Sequence, residues 1–265
     1  MSEFRKFFLA LAIAVGAPLA LGVCDPGGDE PGSAVLPLGA TGDGLEECVN
    51  DLGWTVSVDA FRLVVRDLEL TIEGETHEAL LQRVSKILVH TAMAHPGHYA
   101  GGEVTGELPG RFALDLVAGE VQELGDATLL AGEYHGFNLY FARAEEADGI
   151  GADDPLLGHT AVIEGTATSG AEEIEFTATL DIEEGTQMVG GVFEMDVSES
   201  STGELVMEVL TIDPTEGDTL FDGIDFGALD EDDDGVVEIL PGEESHNVLM
   251  KTLQVHDHYE MEVRQ

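Results

Sequence analysis

Basic residues are scarce in this chain. Only 10 Lys and Arg stand against 54 Asp and Glu over 265 residues, which gives a formal net charge of -44. A protein that binds nucleic acid or an anionic membrane needs clusters of Lys and Arg to neutralise phosphates, and the sequence contains no such cluster. Cysteine is also rare, and its two residues exclude a disulfide-dense mini-protein and a Cys-rich zinc module.

The common catalytic motifs are missing as well. The sequence has no Gly-x-Ser-x-Gly, P-loop or dinucleotide fingerprint. Cys48 follows Glu46 and Glu47, and these carboxylates should raise its pKa because they oppose formation of a thiolate. Chance pairs of carboxylates are unavoidable among so many acids, so they do not indicate a glycosidase. We therefore predict no catalytic residue.

Apolar residues are nevertheless abundant enough for a folded core. They make up 43% of the chain, and the mean hydropathy is +0.06, so the acidic excess does not imply disorder. Acidic surfaces with only three lysines are typical of proteins from saline habitats, where salt screens charge repulsion. We therefore expect a marine or halophilic bacterial source, in which most individual carboxylates need no functional explanation.

Residues 1–23 have the basic start and apolar run of a secretory signal peptide, but the run is too short for a convincing membrane span. Cleavage by signal peptidase would leave Cys24 free to pair with Cys48. Alternatively, Leu21–Cys24 resembles a bacterial lipobox, and Cys24 would then carry a lipid anchor. Both alternatives predict an exported protein of the periplasm or cell surface.

The remaining chain is predicted to contain a flexible tether over residues 24–50 and one domain over 51–265. The tether begins with a segment rich in Gly, Pro and acids. Beyond it, apolar residues alternate with polar ones, as in Ile174–Ile182, which is typical of half-buried strands. The apolar phase shifts by one residue within Phe61–Ile72, which indicates a β-bulge or a strand that crosses between sheets.

Two segments have helical spacing instead. One covers residues 77–90, and the other includes Val248, Leu249 and Leu253 and ends close to His256. The predicted fold class is all-β, an antiparallel β-sandwich with two short helical insertions.

An acidic segment follows the pattern D-x-D-x-D-G and resembles the calcium loop of an EF-hand. This resemblance implies ligands from Asp230, Asp232 and Asp234 and from the main-chain carbonyl of Val236. The twelfth position of the loop, which is a bidentate Glu in EF-hands, is Pro241 here. Other carboxylates that could complete the shell are Asp225, Glu238 and Glu243.

Histidines form a second candidate metal site. His95 and His98 flank a Pro-Gly turn, and the C-terminal segment contains His256-x-His258. On a strand, a His-x-His pair places both imidazoles on one face. Imidazole ligands suit copper and zinc, and Met93 would add a soft ligand for Cu(I). We therefore predict a copper or zinc site that combines both segments. His135 and His159 are weaker additions to it.

An exported acidic β-protein with a tethered N-terminus, a His-rich loop and one tryptophan, Trp54, resembles the surface and periplasmic copper-binding proteins of methanotrophs. The resemblance is one of layout, and it implies an extracytoplasmic copper protein. The preferred function is therefore copper or zinc binding, with calcium as a structural ion. A calcium-stabilised structural or adhesive surface module is the alternative, and a metal-dependent enzyme is the third hypothesis.

Overall fold

Long β-strands dominate the computed structural model, which describes residues 32–72 and 102–265. The predicted signal peptide, Cys24, the helix at 77–90 and the pair His95 and His98 lie outside the described residues. The strands are β1 (Ser33–Thr41), β2 (Cys48–Val49), β3 (Thr55–Ile72), β4 (Glu103–Leu116), β5 (Val121–Leu130), β6 (Gly132–Phe141), β7 (Ala161–Ser169), β8 (Glu172–Leu180), β9 (Gln187–Val197), β10 (Glu204–Val209), β11 (Val236–Ile239) and β12 (Tyr259–Arg264).

Helices are few and short within the described ranges. They are α1 (Phe226–Leu229) and α2 (Glu244–Thr252), together with the 3-10 helices η1 (Glu146–Asp148) and η2 (His256–His258). The predicted C-terminal helix is confirmed as α2, which buries Leu249. Within the same ranges, no helix combines the length and the apolar character needed to cross a membrane. The all-β class with few helices is therefore confirmed.

The strands form one continuous sheet. They pair in the order β3, β4, β5, β1, β10, β12, β9 and β6, and β6 pairs again with β3, so that these strands close into a ring. From the N-terminal half of β3 the sheet continues through β7 and β8 to β11, which is its edge. The division into two sheets that a sandwich implies is not confirmed, because all the strands, including β2 beside β3, belong to one hydrogen-bonded sheet.

The length of β3 explains how one strand serves both the ring and its extension. Residues 55–63 pair with β7, whereas residues 65–72 pair with β6. The partner changes at Val64, between these two ranges. Three residues further on, Asp67 has a φ of 49° at a bulge against β4. This bulge is the phase shift that the sequence predicts. Leu108-Pro109-Gly110, which has the composition of a turn, lies within β4, where the Gly110 N–H donates to Asp67 Oδ1 at 3.1 Å.

The predicted tether is wrong from Ser33 onward. Ser33–Thr41 forms β1, which pairs antiparallel with β5 and parallel with β10 inside the ring. Leu36, Leu38 and Ala40 are each only 1% exposed, so this strand contributes to the main core. The alternating apolar residues of the segment outweigh its Gly and Pro content, and the domain begins before residue 51.

Candidate metal centre

The acidic loop connects α1 to β11 at the edge of the sheet. Asp225 caps α1, because its Oδ1 accepts the Ala228 N–H at 3.3 Å. The helix ends at Leu229 and is capped by Asp230, whose N–H donates to Phe226 O at 3.1 Å, and β11 begins at Val236. The two ends of the loop are therefore held by regular structure.

Hydrogen bonds within the loop bring its carboxylates together. Asp230 accepts the N–H groups of Asp234 and Gly235, both at 3.0 Å. Positive φ angles at Asp233 (57°) and Gly235 (79°) produce the sharp turn, which a glycine adopts without steric cost. As a result, one oxygen from each of Asp230, Asp232 and Asp234 lies within 4.8 Å of the others.

The fourth predicted ligand, the carbonyl of Val236, belongs to the first residue of β11. The Val236 N–H donates to Asp234 Oδ1 at 3.0 Å, and the N–H and C=O of one strand residue point to the same side. Pairing with β8 instead uses the neighbouring residue, since the Glu175 N–H donates to Gly235 O at 2.9 Å. The Val236 carbonyl is therefore directed away from β8 and is available to a cation.

Two of the carboxylates considered for the rest of the shell, Asp225 and Glu243, have hydrogen-bond partners of their own and are not part of the converging group. Asp225 Oδ1 caps α1, and Glu243 Oε2 accepts the Leu240 N–H at 2.9 Å. Asp232 and Asp234 are exposed, so water can reach the centre of the group. A cation held here would have three carboxylates and one carbonyl from the protein, and water would complete its coordination.

The only tryptophan lies against the helix that leads into the loop. Trp54 is 5% exposed, and its ring meets that of Phe226 edge-on at 5.9 Å between centroids. Gly227 permits this approach, since a Cβ at that position would lie 3.0 Å from Trp54 Cζ2. This contact joins residues far apart in sequence, and no local pattern could have predicted it.

The C-terminal histidines do not have the predicted arrangement. His256 and His258 belong to η2 rather than to a strand, which begins only at Tyr259. Because a 3-10 helix has about three residues per turn, residues two apart point in different directions. His258 is 2% exposed, and its Nδ1 lies 3.0 Å from Leu210 O. Burial lowers the pKa of His258, so its ring is a neutral donor to this carbonyl.

The combined histidine site remains a prediction, because His95 and His98 lie outside the described residues. His159, one of the weaker additions, has its Nδ1 2.7 Å from Asp181 Oδ1. Among the residues that the structure describes, Asp230, Asp232 and Asp234 are the only group of three or more His, Cys, Asp or Glu that could hold a metal.

Comparison with known proteins identifies no relative of this chain. No protein-family model, no curated protein and no solved structure matches the chain. The function must therefore be argued from the geometry and chemistry of the site itself.

Proposed function

We propose that the protein is an exported calcium-binding β-domain, in which one ion at the acidic loop stabilises the edge of the sheet. The convergence of Asp230, Asp232 and Asp234 within 4.8 Å carries this proposal. They occupy positions 1, 3 and 5 of the EF-hand-like pattern, and Gly235 at position 6 has the φ that the turn needs. Export follows from the signal peptide predicted over residues 1–23.

The ligand chemistry favours calcium over copper or zinc. The loop offers carboxylate and carbonyl oxygens, which hard cations prefer, and no imidazole or thiolate. Calcium also accepts several water ligands in an irregular shell, which suits a loop that supplies only part of the coordination. Magnesium requires a more regular octahedron and shorter bonds, so an exposed, incomplete shell of this kind suits it less well.

The proposed role of the ion is structural. Without a cation, the three carboxylates repel one another at short range and oppose the turn between α1 and β11. Because β11 has only four residues and lies at the edge of the sheet, it depends on this turn more than an inner strand would. This role favours a calcium-stabilised surface module over a transition-metal protein or an enzyme.

Trp54 provides a direct measurement of calcium binding. Its ring contacts Phe226 on α1, so ordering of the loop should change its fluorescence. We expect calcium to change this emission with saturation and to raise the Tm relative to protein in chelator. Asp232→Asn should weaken binding at least about tenfold, since it removes a charged ligand.

Asp233→Asn is the matched control. It lies in the same loop and removes the same charge, but Asp233 is not part of the converging group, and Asn tolerates its positive φ. Equal weakening by the two variants would mean that calcium responds only to the overall charge of the loop. A Tm that chelator does not change would contradict the structural role.

A further inference from the structure

A cleft of about 390 Å³ opens beside the bulge of β3, where the register of this strand shifts against both β4 and β6. It is distant in sequence from the calcium loop and contributes nothing to that site. Its walls combine charged and aromatic side chains. They include Arg66, Asp67, Glu69, Glu107, Pro109 and Tyr140.

Like charges face each other twice across β3 and β4 at this cleft. Arg66 pairs in register with Arg111, and Glu69 pairs with Glu107. Directly opposed like charges destabilise an antiparallel pair unless a counter-charge lies nearby. The two pairs can therefore be compared by whether a side chain of opposite charge lies beside them.

The basic pair has its counter-ion within the protein. Glu184 Oε1 lies 3.3 Å from Arg111 Nη1 and 3.9 Å from Arg66 Nε, so one carboxylate serves both guanidinium groups. Arg66 also has Asp67 Oδ2 at 3.2 Å from its Nη1 and lies over the Tyr140 ring, 5.4 Å from the centroid. Its positive charge is thus already offset.

The acidic pair has no such counter-ion among the residues that the structure describes. Glu69 accepts hydrogen bonds only from neutral groups: the Gln187 amide at 3.2 Å, and the Asn138 amide and Tyr140 hydroxyl, both at 3.4 Å. Glu107 is exposed and has no hydrogen bond or ion pair among the described residues. Among the described residues, these two neighbouring carboxylates therefore have no basic partner, and the arginine that lines the cleft, Arg66, is already paired with Asp67 and Glu184.

We propose that this cleft binds a small organic cation through a primary ammonium group placed between Glu69 and Glu107. An ammonium has three N–H donors, which suit two carboxylates and a third acceptor such as the Tyr140 hydroxyl. Pro109, which also lines the cleft, supplies apolar surface for the carbon chain that carries the ammonium. The cleft is large enough for an alkyl amine of a few carbons.

The experiment must separate this site from the general attraction of a highly acidic protein for cations. We would titrate the protein with n-butylammonium chloride in 1 M NaCl and follow NMR chemical shifts, since salt at this concentration reduces the screening length to about 3 Å. Glu69→Gln/Glu107→Gln should bind at least about tenfold more weakly, because two charge-assisted hydrogen bonds are lost.

Glu164→Gln/Glu194→Gln is the control. It removes the same charge from exposed positions of β7 and β9 that do not line the cleft, and it should bind like the unaltered protein. Tetramethylammonium, which has the charge but no N–H, should bind more weakly than butylammonium. Equal weakening in both double variants, equal binding of both cations, or no saturable shift in the unaltered protein would overturn the proposal.

Discussion

Cys48 shows how burial determines the chemistry of a single residue. The side chain is 2% exposed in β2, and burial raises the pKa of its thiol from an ordinary 9.0 to about 11, with Asp222 and Glu47 adding to the increase. The sequence predicts the direction of this shift from the neighbouring acids. Its main cause, burial, comes from the fold.

This shift predicts a loss of stability at alkaline pH. A raised pKa means that the folded state keeps the thiol proton more tightly than the unfolded state. The contribution of the protonated thiol to the free energy of unfolding is therefore complete below pH 9 and is lost as pH rises towards 11. The free energy of unfolding should fall between these pH values by on the order of 2 kcal/mol more in the unaltered protein than in Cys48→Ala. Urea unfolding at a series of pH values measures this difference.

Labelling with a maleimide at neutral pH is the companion measurement. A buried thiol should react only after denaturation. If no label is incorporated in denaturant until a reductant is added, Cys48 is in a disulfide. The pH-dependent difference should then be absent before reduction.

The two candidate metal sites differ in how far the sequence could predict them. The ligands of the calcium loop lie within seven consecutive positions, so local chain geometry alone brings Asp230, Asp232 and Asp234 together. The pair at His256 and His258 depends on whether its segment is extended, and here a 3-10 turn sends the rings in different directions. Short-range motifs are predictable, whereas sites that assume a particular backbone conformation are not.

At the scale of elements, the alternating pattern predicts strands better than composition predicts tethers. In β8 every second residue from Ile174 to Leu180 is buried, as its sequence indicates. The same alternation is present in β1, but the Gly and Pro content of the preceding segment suggests a tether. The alternation of apolar residues predicts a strand correctly in both β8 and β1, because a strand with one buried face must have an apolar side chain at every second position.

A matched pair of substitutions in β1 tests this interpretation. Leu38 is 1% exposed, so Leu38→Ala should lower the free energy of unfolding by about 2 to 5 kcal/mol through lost contacts and a residual cavity. Val35 is 61% exposed on the same strand, and Val35→Ala should change it by less than about 0.5 kcal/mol. Denaturant unfolding gives both values. Two equally small changes would place the segment outside the folded core.

The whole molecule combines local order that the sequence predicts with long-range pairing that it does not. Closure of the ring depends on β3 meeting β6, and the parallel contact of β1 with β10 joins segments well over 150 residues apart. No periodicity encodes such partners, because alternation identifies a buried face without identifying the neighbouring strand. The chain order of the strands could be predicted, but not their order in the sheet.

Charge is distributed unevenly over this fold. The described residues include five arginines, and four of them pair with acids of two segments, residues 143–160 and 181–186, or of their own strand. Examples are Arg62 with Asp154 at 2.8 Å and Arg143 with Asp181 at 3.1 Å. These pairs are partly exposed and contribute little each. Within residues 32–72 and 102–265, most of the other carboxylates have no basic partner, so repulsion among them dominates the electrostatic free energy.

Salt should therefore stabilise the protein through screening alone. Raising NaCl from 0.1 to 1 M shortens the screening length from about 10 Å to about 3 Å, which weakens the many repulsive pairs more than the few arginine pairs. We expect the Tm to rise over this range at a constant, saturating calcium concentration, and KCl to give the same increase, because screening depends on ionic strength and not on the cation. With calcium constant and saturating, the occupancy of the acidic loop is the same at every salt concentration. A Tm that falls with salt would show that the arginine pairs outweigh the repulsion of a chain with a net charge of -44.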